Sequence, residues 1–175
     1  RQMCIRDSMS TLYVAGKRNG YISEEHLSLQ GLFNNPYEAS KALAEQAVRR
    51  WSQETGIPHI IYRLPIVLGH SVTGKTLSFT GYYGFFKPFW HTANRIRENA
   101  HSHAHHRSTC IRISNGRVWS PLHVACGDRS TIDLVPIDWV AKTIAQVAAK
   151  RNGENMTVHL THEEPPLSRE VINAS

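Results

Sequence analysis

The chain has 175 residues, 41% of them hydrophobic and 19% charged. That supports one domain with a sizeable core and excludes an intrinsically disordered chain. No apolar stretch is long enough to span a bilayer, and no signal peptide opens the sequence.

The net charge is +6, and its excess is spread along the chain. The densest part is Arg95, Arg97, Arg107, Arg112 and Arg117, with no aromatic-interleaved basic motif beside it. Nucleic-acid binding is therefore set aside, and an anionic cofactor or substrate takes its place. The three cysteines, Cys4, Cys110 and Cys126, form no Cys-x-x-Cys and are odd in number. A reduced, cytoplasmic setting is the simplest account of them.

In chain order, residues 1–8 (RQMCIRDS) fit nothing that follows, and Arg1 is not a start methionine. They look like translated adapter sequence and are expected to be a non-native leader. Residues 9–175 are then a partial domain whose beginning lies upstream. Residues 10–16 (STLYVAG) read as a short buried strand ending at a glycine. A loop follows, with Asn19-Gly20 as a turn. Asn34 or Asn35 can cap the next helix, and Pro36 suits its first turn. That helix should run to about Glu54, stopped by Gly56 and Pro58. Its apolar stripe is Ala39, Leu43, Ala47 and Trp51, widened by Ala44 and Val48.

Residues 59–69 (HIIYRLPIVLG) are nearly continuously apolar, as in a central parallel strand buried on both faces. Regular pairing should end near Pro65, which cannot donate to a ladder. Arg63 in this run reads as an inward-facing salt-bridge partner or, as the alternative, a residue near the cofactor, with the structural role favoured. Strand, helix, strand makes a βαβ unit. Residues 70–107 look irregular, with an aromatic run from Tyr82 to Trp90 that could form a satellite core or, slightly favoured, wall or lid a pocket. Short strands are expected at residues 110–114, 131–135 and 157–160, and helices at residues 138–150 and from Leu167 onward.

Tyr37 and Lys41 are four apart at the start of the first helix, so both side chains share one face. A phenol beside an ammonium is a proton-donor arrangement, because the cation favours the phenolate. Thr11 stands near the carboxyl end of the preceding strand, the edge where open parallel sheets bind ligands. Its hydroxyl could hold a carbonyl oxygen while Tyr37 gives or takes the proton.

STLYVAG, PYEASK, YRLPIVLG and PIDWVA, in this order, resemble the extended branch of the short-chain dehydrogenase/reductase superfamily. Ser-Thr-x-Tyr-Val-x-Gly and Gly69-x-Ser71-x-Thr73-Gly74 are similar to its thioester-reductase group, which includes fatty acyl-CoA reductases and male-sterility proteins. The resemblance implies an α/β fold: the C-terminal part of a Rossmann-type doubly wound parallel sheet, with residues 70–107 as a small substrate-binding extension. It implies an NAD(P)-dependent oxidoreductase in which Tyr37 is the general acid/base. Lys41 stabilises the phenolate and holds the nicotinamide ribose hydroxyls, and Thr11 orients the substrate carbonyl. Pro65, Ile66 and Val67 would approach the nicotinamide through backbone groups. The implied cofactor is NADPH, or NADH, and the implied partner is a small-molecule substrate such as an acyl-CoA or acyl-carrier thioester. No metal is needed.

Two departures bear on this reading. The chain reads Arg63-Leu64-Pro65 where many members read Arg-Pro-Ser. It also carries no GxxGxxG or GxGxxG. The family places that motif upstream, together with the residue that separates NAD from NADP. The same three residues would serve a nucleotide-sugar epimerase or dehydratase, or a hydroxysteroid-type dehydrogenase. A non-catalytic NAD(P)-binding regulator is the alternative of another class. The cluster His101, His103, His105 and His106 has metal-ligand residue types but no Cys, Asp or Glu to complete a set. Asp138 reads most simply as a helix N-cap, the alternative being the acidic residue that the resembled family places beside the substrate end of the site.

Overall fold

Strand β1 (Arg6–Thr11), helix α1 (Pro36–Thr55) and strand β2 (His59–Leu64) form the expected βαβ unit in a computed structural model of the chain. The structure describes residues 6–25, 27, 33–99, 112–114, 117–119, 127–150 and 154–174. The first of two units comprises residues 1–75 and 133–165. In it β1 and β2 run parallel, from Arg6 opposite His59 to Thr11 opposite Leu64. Strand β7 (Met156–His159) pairs parallel with the other edge of β2, giving the order β1-β2-β7.

Ile60, Ile61, Tyr62 and Arg63 are fully buried, as the apolar run predicts for a central strand. Ile60 and Tyr62 pack with Val135, Val140 and Leu160 to make the core. Pro65 ends regular pairing in β2. The chain then continues as β3 (Ile66–Leu68), which pairs parallel with β6 (Leu134–Pro136) in a separate two-stranded sheet. Helix α3 (Ile137–Lys150) follows β6 directly and turns Val140, Ile144 and Val147 onto the core.

The first strand differs from the expectation at both ends. It ends at Thr11, and Leu12–Ala15 wind into a 3-10 helix. The Thr11 hydroxyl accepts from the Tyr13 amide and so caps that turn, and Gly16 closes it at φ 61°. At the other end, Arg6, Asp7 and Ser8 stand in register opposite His59, Ile60 and Ile61. Ladder bonds are made by backbone, so these three residues belong in the sheet although their side chains suggest no strand.

Helix α1 has the expected ends. The Asn35 side chain accepts from the Glu38 amide at 3.0 Å, Pro36 opens the first turn, and Gly56 is left-handed at φ 68°. Its buried face is not the expected one. Glu38, Ala42, Glu45 and Ser52 are buried, whereas Leu43 and Trp51 are exposed. The buried polar residues are satisfied where they lie. Glu38 accepts from the Asn34 amide and from the Asn35 side chain, and Ser52 donates to the Ile57 carbonyl. Apolar periodicity therefore marked the opposite side of this helix.

The second unit comprises residues 76–132 and 166–175. The stretch read as irregular contains helix α2 (Tyr82–Asn99). Its aromatics recur at three- and four-residue steps, and the rings of Tyr82 and Phe86 and of Phe85 and Phe89 meet tilted, with centroids 4.9 and 5.6 Å apart. Strands β4 (Arg112–Ser114) and β5 (Arg117–Trp119) form an antiparallel pair. Thr131 bridges Leu167 ahead of helix α4 (Ser168–Ala174). The four clustered histidines and the three cysteines lie outside the described residues.

Candidate active site

Helix α1 brings Tyr37 and Lys41 together as their spacing predicts. The Lys41 Nζ stands 5.9 Å from the centre of the Tyr37 ring. The same ammonium donates to the Met9 carbonyl of β1 at 3.3 Å, which ties the pair to the strand. Tyr37 is 55% exposed, so its phenol is open to a ligand. One turn further on, Glu45 accepts from the Ser10 hydroxyl at 2.6 Å. Tyr37, Lys41 and Glu45 thus follow one another along a single helix face.

Thr11 is buried, and its hydroxyl is engaged locally by the Tyr13 amide at 3.3 Å. No hydrogen bond joins it to Tyr37 or Lys41 among the described residues. Tyr13, which the sequence did not single out, stands on the turn after Thr11. Burial pushes its phenol up, and the carboxylates of Asp133 and Glu38 add to the effect, so it stays protonated. Pro65, Ile66 and Val67 lie where β2 passes into β3. The Ile66 amide donates to the Asp133 carbonyl at 3.2 Å and is taken up by the sheet.

Arg63 has the inward-facing ion pair expected of it. Its guanidinium grips Glu45 at 3.0 and 2.8 Å, both groups being buried. Glu45 was not legible as its partner, since the two are 18 positions apart and meet only through the βαβ crossover.

The Gly69-x-Ser71-x-Thr73-Gly74 motif is a closed turn with a reason for each named end. A Cβ on Gly69 would lie 2.8 Å from the carbonyl oxygens of Gly74 and Lys75. Gly74 is left-handed at φ 64°, and its amide donates to the His70 carbonyl. Ser71 donates to Asp138 through both its amide, at 2.8 Å, and its hydroxyl, at 2.7 Å. Asp138 is therefore a pin for this turn rather than a cap of its own helix. Those two bonds hold its carboxyl below the usual range. Beside it a cavity of about 550 Å³ opens between Ser71, Trp139, Lys142 and the turn at Thr161, His162 and Glu163. Neither Tyr37 nor Lys41 lines it.

Parallel strands joined by a crossover helix that carries Tyr-x-x-x-Lys define a Rossmann-type, NAD-binding class of domain. Residues 4–144 match the male sterility protein family, and the chain belongs to that NAD-binding family. No curated protein sequence matches it. Among solved structures, the terminal R domain of the myxalamid PKS-NRPS biosynthetic pathway is similar over 97% of this chain, with 24% identity and a TM-score of 0.68. UDP-glucuronic acid 4-epimerase from Bacillus cereus is similar over 97%, with 18% identity and a TM-score of 0.60. UDP-N-acetylglucosamine 4-epimerase from Methanobrevibacter ruminantium is similar over 97%, with 12% identity and a TM-score of 0.60. These likenesses show the fold. The chain spans 36%, 43% and 44% of those three structures.

The residues present suit one end of a dinucleotide. An exposed phenol and an ammonium stand together beside a parallel sheet, a donor set that matches ribose hydroxyls and a carbonyl oxygen. The pyrophosphate end calls for a glycine-rich βα turn, and no such motif occurs in the 175 residues. No helix among the described residues is long and apolar enough to cross a membrane.

Proposed function

We propose that this chain carries the acid–base half of an NAD(P)H-dependent reductase that acts on a carbonyl or acyl thioester. The observation that carries the reading is the Tyr37–Lys41 pair, set on one face of α1 and tied to β1 through Met9, in a chain of this family. The R-domain likeness and the Gly-x-Ser-x-Thr-Gly turn favour the thioester branch over sugar-nucleotide chemistry.

NADPH, or NADH, supplies the hydride when bound. Tyr37 gives its phenolic proton to the carbonyl oxygen as that oxygen gains charge. Lys41 keeps a positive charge beside the resulting phenolate and holds the ribose hydroxyls. Thr11, with its hydroxyl already fixed at the strand end, orients the substrate carbonyl. Pro65, Ile66 and Val67 flank the nicotinamide with backbone groups, the Ile66 amide excepted. With an acyl-CoA or acyl-carrier thioester, the tetrahedral adduct formed at the carbonyl expels thiol and leaves an aldehyde. A second round converts the aldehyde to an alcohol.

Steady-state NADPH oxidation by the full-length protein with an acyl-CoA tests this. Turnover is expected, and Tyr37→Phe should lower kcat by about 10²–10⁴-fold. Full-length protein that binds NADPH but oxidises none with any thioester, aldehyde or sugar nucleotide would overturn the enzyme reading in favour of a binding regulator. Turnover of a sugar nucleotide alone would replace the thioester reading with the epimerase or dehydratase one.

A further inference from the structure

We propose that Ser10, Glu45 and Arg63 form a positioning relay that sets the Tyr37–Lys41 pair against the end of β1. The proposal rests on the acid–base reading of that pair. Helix α1 turns one face to β1. Lys41 and Glu45 follow Tyr37 at successive four-residue steps, and each of the two reaches the strand. Lys41 meets the Met9 carbonyl, and Glu45 meets the hydroxyl of Ser10, the neighbour of Thr11. Lys41 is long, partly exposed and tied to one carbonyl. Glu45 is 5% exposed, and its carboxylate is held from two directions. The setting of the helix is therefore fixed one turn below the acid–base pair.

Arg63 supplies the fixed point. A guanidinium has five N–H donors in a rigid plane, and here each of them has an acceptor. Nε and one Nη2 proton go to Glu45 at 3.0 and 2.8 Å. The other Nη2 proton goes to the Glu25 carbonyl at 3.1 Å. Nη1 serves the Ser23 carbonyl at 3.2 Å and the His159 Nε2 at 3.0 Å. The last contact requires His159 Nε2 to be an acceptor. Burial first, and then the Arg63 charge, hold that imidazole neutral. The His159 amide in turn donates to a Glu24 carboxylate oxygen at 2.6 Å. One planar group on β2 thus bonds α1, β7 and the Ser23 and Glu25 carbonyls, which lie on the segment between Thr11 and Tyr37, and reaches β1 through Glu45 and Ser10.

An apolar pair of similar volume would hold such an interface together as well as an ion pair does. It would not fix direction, because hydrophobic contact is non-directional and a bidentate carboxylate–guanidinium pair is planar. Direction is what a proton donor needs, since a displacement of about 1 Å lowers rates about a hundredfold. The arrangement of Ser10, Glu45 and Arg63 thus does work that packing alone cannot do.

The test uses the full-length protein with Ser10→Ala, Ser10→Thr and, as a stability control in the α3 core, Val140→Ala. Kinetics with NADPH and an acyl-CoA are read beside hydrogen exchange of the amides of α1 and α3. Ser10→Ala is expected to lower kcat about tenfold, the scale of one charge-assisted hydrogen bond, with both KM values within about twofold of wild type. It should also speed exchange in the first two turns of α1 while α3 stays unchanged. Ser10→Thr, which restores the hydroxyl, should recover kcat. Val140→Ala should lower stability and leave kcat alone. Wild-type kcat or wild-type α1 exchange in Ser10→Ala would overturn the relay. If Tyr37→Phe is inactive while Ser10→Ala is normal, the acid–base reading stands and the relay fails. If the wild-type protein shows no turnover, the acid–base reading fails, and the exchange measurement still decides whether Ser10 and Glu45 set the helix.

Discussion

Arg63 and Tyr37 are opposite extremes of the same site, and they predict opposite responses to substitution. Arg63 is fully buried and holds a buried carboxylate. Arg63→Met strands the Glu45 charge in the interior and should destabilise the unit by about 3–5 kcal/mol in urea denaturation. Glu45→Leu added to it should recover most of that loss, because an apolar pair leaves no charge unpaired. A loss below about 1 kcal/mol for the single variant would show the pair to be solvated. Tyr37 is half-exposed, and its phenol bonds no other described residue, so Tyr37→Phe should leave the denaturation midpoint unchanged while lowering kcat by about 10²–10⁴-fold. The Tyr37–Lys41 pair was legible in the sequence because a four-residue step is a local geometric fact. The burial of Arg63 was legible because a lone charge in an apolar strand has nowhere to point but inward. Glu45 was not, since its partners Ser10 and Arg63 are 35 and 18 residues away and nothing in its helix marks it.

At the level of elements, the turn after β3 gives the sharpest forecast. Gly69→Ala would drive a Cβ to 2.8 Å from two backbone oxygens that close the turn, and backbone cannot swing aside as a side chain can. It should destabilise the protein by about 1–3 kcal/mol and weaken the Ser71–Asp138 contact, seen as an upward move of the Asp138 titration by NMR. An unchanged melting temperature would contradict this. At the start of α1, Asn35→Ala removes an accepting cap and should cost about 1 kcal/mol. The ends of α1 were legible because caps are written in residue type: Asn35, Pro36 and Gly56 mark them. Its buried face was misread. Leu43, Ala47 and Trp51 suggested the inner side, but Glu38, Glu45 and Ser52 occupy it, each paired with groups supplied by other segments. Helix α2 was missed for a related reason. Glycine, proline and crowded aromatics read as irregular chain, yet the three- and four-residue recurrence of those aromatics was the helical signal.

At the level of the whole molecule, the central parallel strand and the βαβ order were legible because the β2 run is mostly apolar, as suits a strand buried on both faces, and α1 carries capped ends. The global stability should also carry a pH signature. His59 and His159 are both held below the ordinary imidazole value, His59 by burial and then Arg49, His159 by burial and then Arg63. Unfolding returns each to about 6.5, so the unfolded chain binds more protons as pH falls through that value. Stability is full above it and declines below it. Burial pushes the Asp133 carboxyl up and works in the opposite sense at more acid pH, so the informative interval is between about pH 8 and about pH 6. The melting temperature should fall across it, and His59→Leu should flatten the fall; a flat wild-type profile would contradict both assignments. Residues 1–175 alone carry no glycine-rich turn, and calorimetry should show no micromolar NADPH binding by them. In the proposed reaction hydride passes directly to a substrate carbonyl beside Tyr37. The most direct measurement is mass spectrometry of the product formed by the full-length protein from an acyl-CoA and NADPH deuterated at the transferable position. The expected product is an aldehyde or alcohol carrying deuterium on the former thioester carbon, formed by Tyr37→Phe about 10²–10⁴-fold more slowly. A product without that label, or a labelled product from Tyr37→Phe at the wild-type rate, would contradict the proposed reaction.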